Sequence, residues 1–333
     1  MLDARACLAL AALLAAALAH GGASPDARTL AVLFRAADPA GEAAARAYAE
    51  ARGVPASHLI AVHVPKGAVL APAALPALRR EIERKLPAGT RALALAWTEP
   101  YAVGCNSVTS ALTLGFDARQ CTETCAAGRD SPFFNAKGPL KGPLLPPSML
   151  LTDDAALTRT LARRGRAAQA PPDAAAYFVV SGDAARDSRA RFFPPEGAHT
   201  VGAVRLVTLK GRALAPARGA MFVFTGDTDA HEVARASLLP GALADHLTSF
   251  GGVLAGGTQM PATAWLKAGA SASYGTVSEP CNWPQKFPHP QVLVARYLAG
   301  DTALEAYWKS VLWPAQGLFV GDPLAAPYAA ARR

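Results

Sequence analysis

The sequence predicts an α/β fold: a mostly parallel sheet with helices on both faces and a loop-rich insertion. Three observations carry this. The first ninety-odd residues alternate apolar, β-prone runs with helical stretches. Gly219 to Pro327 adds three more runs, Met221–Thr225, Ala268–Val277 and Gly317–Val320, each stopped by a turn carrying an acid, Asp227, Glu279 and Asp322. If these strands are parallel, the acids lie at the carboxyl edge, where open α/β sheets bind ligands.

Taken in order, Thr29–Arg35 reads as the first strand, and Gly41–Arg52 as a helix burying Ala44, Ala45, Tyr48 and Ala49 before Gly53 stops it. Leu59–Val64 is a second strand. The stripe Leu75, Leu78, Ile82, Leu86 marks a helix, and Arg91–Trp97 a third strand. The β-α-β-α-β order implies right-handed crossovers. The texture then changes over 117–175, where glycines and prolines forbid regular structure between Gly128 and Pro147; a helix follows over Asp154–Arg163, capped by Asp153-Asp154. Strands resume at Tyr177–Val180 and Val204–Leu209. Further helices are expected over Ala242–Phe250, Val292–Tyr297 and Ala303–Val311, the last packing Leu304, Tyr307, Trp308 and Val311. With no repeat and no second core, 28–328 reads as one domain.

Of 333 residues, 51% are hydrophobic, enough for a full core. Residues 1–19 combine an early arginine, an apolar run and Ala17-Leu18-Ala19, the pattern of a signal peptide cleaved after Ala19. Export to the periplasm or beyond is therefore expected. Cys7 precedes the apolar run and cannot be a lipidated cleavage-site cysteine, and no later segment is long and apolar enough to span a bilayer. The net charge of +8 is spread over scattered arginines without an aromatic-interleaved basic stripe, which argues against nucleic acid as partner.

Chemistry is sparse. Cys105, Cys121, Cys125 and Cys281 remain after the leader, and an even count in an exported chain points to two disulfides. The preferred pairing is Cys121–Cys125, closing a short loop, and Cys105–Cys281, tying together two similar strand ends, Thr98-Glu99-Pro100 and Ser278-Glu279-Pro280. Asp227, Asp229 and His231 form the sharpest cluster, a weak metal candidate; acids opening a helix explain it as well. His58, His63 and His246 read as packed or solvated, and His199 and His289 as loop residues. The glycine-rich stretches lack a phosphate-loop lysine and a dinucleotide fingerprint, so no cofactor is expected. Glu99, Asp227 and Glu279 are expected to line one crevice that takes a cationic or hydroxyl-bearing ligand.

The Leu30–Phe34 strand, Tyr48-Ala49-x-x-Arg52-Gly53-Val54-Pro55, Thr98-Glu99-Pro100-Tyr101, Gly275–Pro280 and Gly321-Asp322-Pro323-Leu324-Ala325-Ala326-Pro327 resemble an uncharacterised family of exported bacterial proteins found in organisms that carry exosortase sorting systems. The last third is more distantly similar to gingipain-type cysteine peptidases, which implies a caspase-like three-layer sandwich. In that clan a His-Gly and a Cys end successive strands. Here Ser181-Gly182 and Thr225-Gly226 stand there, so no catalytic residue carries over. These resemblances imply a non-catalytic domain binding a peptide, polymer or envelope partner. The alternatives are an exported, metal-using hydrolase built on the acidic cluster and a structural component of an exosortase-linked assembly.

Overall fold

The computed structural model describes residues 24–211 and 217–332; the expected leader lies outside them. Among the described residues, fourteen strands form one eleven-stranded sheet and one of three strands. The chain opens with β1 (Leu30–Arg35), α1 (Pro39–Arg52), β2 (Leu59–Val62), β3 (Val69–Leu70), α2 (Leu75–Lys85) and β4 (Ala92–Leu95). It continues through β5 (Ala102–Val103), β6 (Asn106–Ser107), α3 (Val108–Leu114), α4 (Arg119–Thr122), β7 (Ser148–Leu150) and α5 (Ala155–Ala167). The second half contains β8 (Ala174–Val180), β9 (Gly197–Val201), β10 (Val204–Lys210), β11 (Ala220–Gly226), β12 (Leu238–Leu247), α6 (Thr263–Ala268), β13 (Ala272–Thr276), α7 (Pro290–Leu298), α8 (Ala303–Ser310) and β14 (Gly317–Gly321).

The large sheet has the order β2-β1-β4-β7-β14-β13-β12-β11-β8-β10-β9, and every neighbouring pair is parallel except β13–β14 and β9–β10. It is an α/β sheet, mostly parallel. The antiparallel pair in its middle divides it into two parallel blocks that run in opposite directions.

Burial of both faces of the sheet explains why the inner strands read as unbroken hydrophobic runs. Leu30 and Val32 of β1 face one core with Ala92 and Ala94 of β4, while Ala31 and Leu33 face the other with Leu93 and Leu95. The first core gathers α1, α7 and α8; the second gathers α2 and α3; α5 and α6 send side chains to both. Helices therefore cover both faces, as expected.

Several elements match their sequence signals. Tyr48 and its alanine neighbours are buried on α1, and Gly53 ends that helix at φ 73°, its N–H bonded to Ala49 O. Asp154 caps α5 by accepting from the N–H groups of Ala156 (2.9 Å) and Leu157 (3.0 Å).

Three expectations change. Ala242–Phe250 is not a helix: Leu238–Leu247 is the inner strand β12, because Asp245 and His246 find buried partners that make the strand position tenable. The excursion expected over 117–175 contains, besides the expected helix, now bounded at Ala155–Ala167, an unexpected inner strand, Ser148–Leu150, between β4 and β14. The disulfides join Cys105 to Cys121 and Cys125 to Cys281, each with Cα atoms 5.2 Å apart, instead of Cys105–Cys281 and Cys121–Cys125. The 121–125 segment sits between two loops and reaches one with each sulfur. Its second side is tied down by Thr124 Oγ1 donating to Glu279 O (2.5 Å) and Trp283 Nε1 donating to Cys125 O (2.8 Å).

Candidate functional site

The reversal at β13–β14 decides where the acids stand. Glu99 follows β4, whereas Asp227 and Glu279 follow β11 and β13, which run the other way. The carboxyl end of β4 and those of β11 and β13 thus lie on opposite edges, and the three carboxylates do not share a crevice. Asp322, after β14, is likewise separated from Asp227 and Glu279. The two Glu-Pro strand ends are not neighbouring loops. The chain beyond Glu99 instead recrosses the face of the sheet, so that Cys105, rather than Glu99, meets the second Glu-Pro loop, where Ser278 Oγ donates to Cys105 O (2.7 Å).

On their edge, Asp227 and Glu279 brace turns. Glu279 Oε1 accepts from Cys281 N (2.8 Å), and its carbonyl accepts from Gln316 Nε2 (2.8 Å). Beside it, burial holds the Lys286 ammonium down to about 8, against the opposing pull of Glu279 and Asp117, and Lys286 Nζ donates to Thr124 O (2.6 Å). Asp227 is buried, and its Oδ1 accepts from Asp229 N (3.3 Å). Asp229 and His231 form an exposed pair of their own: Asp229 Oδ1 accepts from His231 N (2.9 Å) and contacts its ring Nδ1. The expected helix start is a single 3₁₀ turn at Val233–Arg235. Among the described residues no three His, Cys, Asp or Glu side chains converge as a metal site would require.

β8 and β11, the strands whose ends were compared with the peptidase dyad, are neighbours, and Ser181 Oγ donates to Gly226 O. Their shared end is filled by the segment 183–192. Asp187 accepts from Ser181 N (3.1 Å) and Gly182 N (2.7 Å), and a Cβ on Gly226 would overlap the Arg186 carbonyl. Arg189 runs beneath to Asp245. Every described cysteine is in a disulfide, so no described thiol can act as a nucleophile.

His246 is fully buried on β12, where its Nε2 donates to Met260 O (3.0 Å) and its Nδ1 accepts from Trp265 Nε1 (3.0 Å). These partners define the neutral tautomer, and burial pushes the imidazole down to about 4. The unfolded chain, with the ordinary value of 6.5, binds more protons between those two values. The His246 contribution is therefore fully present above pH 6.5 and lost as pH falls towards 4, a drop of about 3 kcal/mol at ~1.4 kcal/mol per pH unit. Denaturant unfolding from pH 7 to 4 should show it, and His246→Gln should flatten that part of the profile; an unchanged slope would refute the assignment.

The opposite edge has a different character. From β1 the chain winds through α1 to β2 on one side, then through α2, on the other face, to β4 on the other side. The carboxyl ends of β1 and β4 are therefore a topological switch point, where open α/β sheets leave a crevice. Four side chains of defined position gather there with Glu99. Arg35, ending β1, pairs with Asp38 (2.9 Å) and reaches Glu99 O (3.5 Å), and its Nε is buried without a partner. Thr98 Oγ1 donates to Asp153 Oδ1 (2.6 Å), joining the ends of β4 and β7. Gly41 lets α1 settle onto β4, since a Cβ there would stand 2.7 Å from Ala96 O.

Glu99 itself is half-buried, and its carboxylate makes no hydrogen bond or ion pair among the described residues. Its charge is felt by Tyr101, whose hydroxyl is pushed up first by burial and then by Glu99. With Asp38 neutralised by Arg35 and Asp153 engaged on one oxygen, the unused capacity here is acceptor capacity beside the one unpaired Nε–H of Arg35. Such a site suits ammonium, guanidinium or hydroxyl donors. The sequence pointed to Glu99; Arg35, Asp38, Thr98 and Asp153 were missed, though each stands at or just past a strand end.

The chain matches no protein-family model, no curated protein and no solved structure.

Proposed function

We propose that this chain is an exported, non-catalytic binding domain that recognises a cationic or hydroxyl-bearing segment of a peptide, polymer or envelope partner through Glu99. The observation that carries the reading is the half-buried Glu99 carboxylate at the β1/β4 switch point, with no protein partner among the described residues. The filled end of β8 and β11 and the disulfide-bonded cysteines support binding over thiol chemistry. Two disulfides, and no described helix long and apolar enough to cross a membrane, are compatible with an exported chain. The resemblance to exported bacterial proteins and to the caspase-like sandwich supports the same reading.

The test is a binding screen of purified protein against arrays of basic peptides and neutral glycans, followed by titration of hits. Glu99→Gln keeps size and polarity but removes the charge, and should weaken binding of a basic peptide at least about tenfold, as expected for loss of a charge-assisted hydrogen bond. Glu279→Gln, on the opposite edge, should leave it unchanged. Equal loss in both variants, or none in Glu99→Gln, would overturn the assignment.

A further inference from the structure

We propose that the groove between α1 and α5 is a second binding site, for a ligand carrying two or more oxyanion groups. The groove is open to solvent, offers about 520 Å³ and is lined by Glu50 and Ala51 of α1 and by Arg159, Arg163, Arg166 and Ala167 of α5. That volume falls within the ~300–1,000 Å³ typical of small-ligand sites. Positions 159, 163 and 166 are spaced i, i+4, i+7, which places three guanidinium groups along one stripe of the helix. Glu50 is the one acid among the described lining residues, so the lining carries a net positive charge.

The arginines are not used up by the fold. Arg166 is anchored, donating from Nη1 to Ala51 O (3.1 Å), which bridges the two walls. Arg159 and Arg163 make no hydrogen bond or ion pair among the described residues. Other arginines are paired, Arg46 with Glu42, Arg119 with Glu123 and Arg129 with Asp117, while Arg80 and Arg84 on α2 are likewise without a side-chain partner among the described residues, so the groove stands out by its three converging guanidinium groups. Basic residues in the last turn of a helix complement its dipole, which accounts for Arg166 and not for Arg163, which precedes that turn. Nor does it account for Arg159, the fifth residue of α5.

The stripe fixes the kind of ligand. Guanidinium forks bind phosphate and carboxylate bidentately. At 1.5 Å rise per residue the stripe runs about 10 Å along the helix, more than one phosphate can bridge. A chain of linked phosphates or carboxylates fits it. The site is separate from the Glu99 crevice and takes ligands of opposite charge.

Calorimetric titration with tripolyphosphate, citrate and orthophosphate at low ionic strength tests this. Tripolyphosphate is expected to bind at least about tenfold more tightly than orthophosphate. The ratio of tripolyphosphate to citrate then distinguishes a phosphate-selective site from a general oxyanion site, and either supports the proposal. The Arg159→Ala/Arg163→Ala variant should lose at least about tenfold in affinity, and Glu50→Gln should gain severalfold. Arg80→Ala/Arg84→Ala on α2 removes the same charge from an exposed face elsewhere and should change nothing. Three outcomes would overturn the proposal: equal loss in the two double variants, orthophosphate binding as tightly as tripolyphosphate, or no saturable binding below about 1 mM.

Discussion

Asp322→Ala is expected to lower the unfolding free energy by about 3–5 kcal/mol, the usual cost of removing one partner from a buried ion pair. Asp322 is fully buried just after β14. It accepts from Tyr48 Oη (2.6 Å) and Leu324 N (3.0 Å), pairs with Arg52 of α1, and its own N–H donates to Ser271 O (2.8 Å). Burial alone would lower the Arg52 pKa, yet Asp322, Tyr48 and Tyr297 together outweigh it and the net shift is upward, so the guanidinium stays charged. Burial, reinforced by Asp322, raises the Tyr48 hydroxyl well above its ordinary range, so it stays a donor. Alanine would leave a buried cation and a buried hydroxyl unpaired. Asp322→Asn keeps an acceptor for Tyr48 but not the charge Arg52 needs, and should lose nearly as much. Urea unfolding at pH 7 measures both; losses under about 1 kcal/mol in each would refute the buried-lock account.

That lock gives physical meaning to two stretches of the sequence, Tyr48–Pro55 and Gly321–Pro327. Tyr48 and Arg52 from the α1 stretch and Asp322 from the Gly-Asp-Pro stretch lie 270 or more positions apart and meet in one network. Gly165 of α5 completes it, because a Cβ there would overlap Asp322 Oδ2 and Arg52 Nη2. Those residues serve the joint between α1, α5 and the end of β14, and the ligand-facing acid of the proposed site, Glu99, stands apart from them.

Much of the fold was legible because buried parallel strands announce themselves as short apolar runs, and amphipathic helices as stripes. β1, β4, β8, β11 and α2 were read this way. β12 was not. Its Ala-Leu-Ala-Asp-His-Leu stretch has helix-like composition, and the partners that let Asp245 and His246 sit in an inner strand, Arg189 and Trp265, are tens of residues or a loop away. Strand direction was equally hidden. Nothing within Gly317–Gly321 encodes its antiparallel pairing with β13, which is set by how the intervening α7 and α8 return the chain. One reversed pair was enough to separate Glu99 from Asp227 and Glu279. Cysteine pairing failed for a related reason: residues four apart seemed natural partners until the tertiary course of 121–125 placed each beside a different loop.

Arg189→Met is expected to destabilise the protein by about 3–5 kcal/mol, and adding Asp245→Leu to recover most of that loss. Arg189 and Asp245 are each 1% exposed at the side chain and 2.6 Å apart. Arg189 also donates to Pro288 O (3.2 Å) and Thr225 O (3.2 Å) and lies over the Phe224 ring, 5.4 Å from its centroid. It is thereby the pin that holds the 183–192 segment across the ends of β8 and β11. Burial pushes the Asp245 carboxyl up, against the pull of Arg189, and without the guanidinium nothing opposes that push. Asp245 in the single variant is then a buried acid stripped of its ion-pair partner. In the double variant an apolar pair replaces the ion pair and leaves no buried charge unpaired, an exchange that in buried ion pairs is often neutral or stabilising. A double-mutant cycle by chemical denaturation measures the coupling directly. If the two substitutions simply add, the pair is not energetically linked, and the segment is held by the Asp187 and Asp183 turn bonds together with the bonds of Arg189 to Pro288 O and Thr225 O.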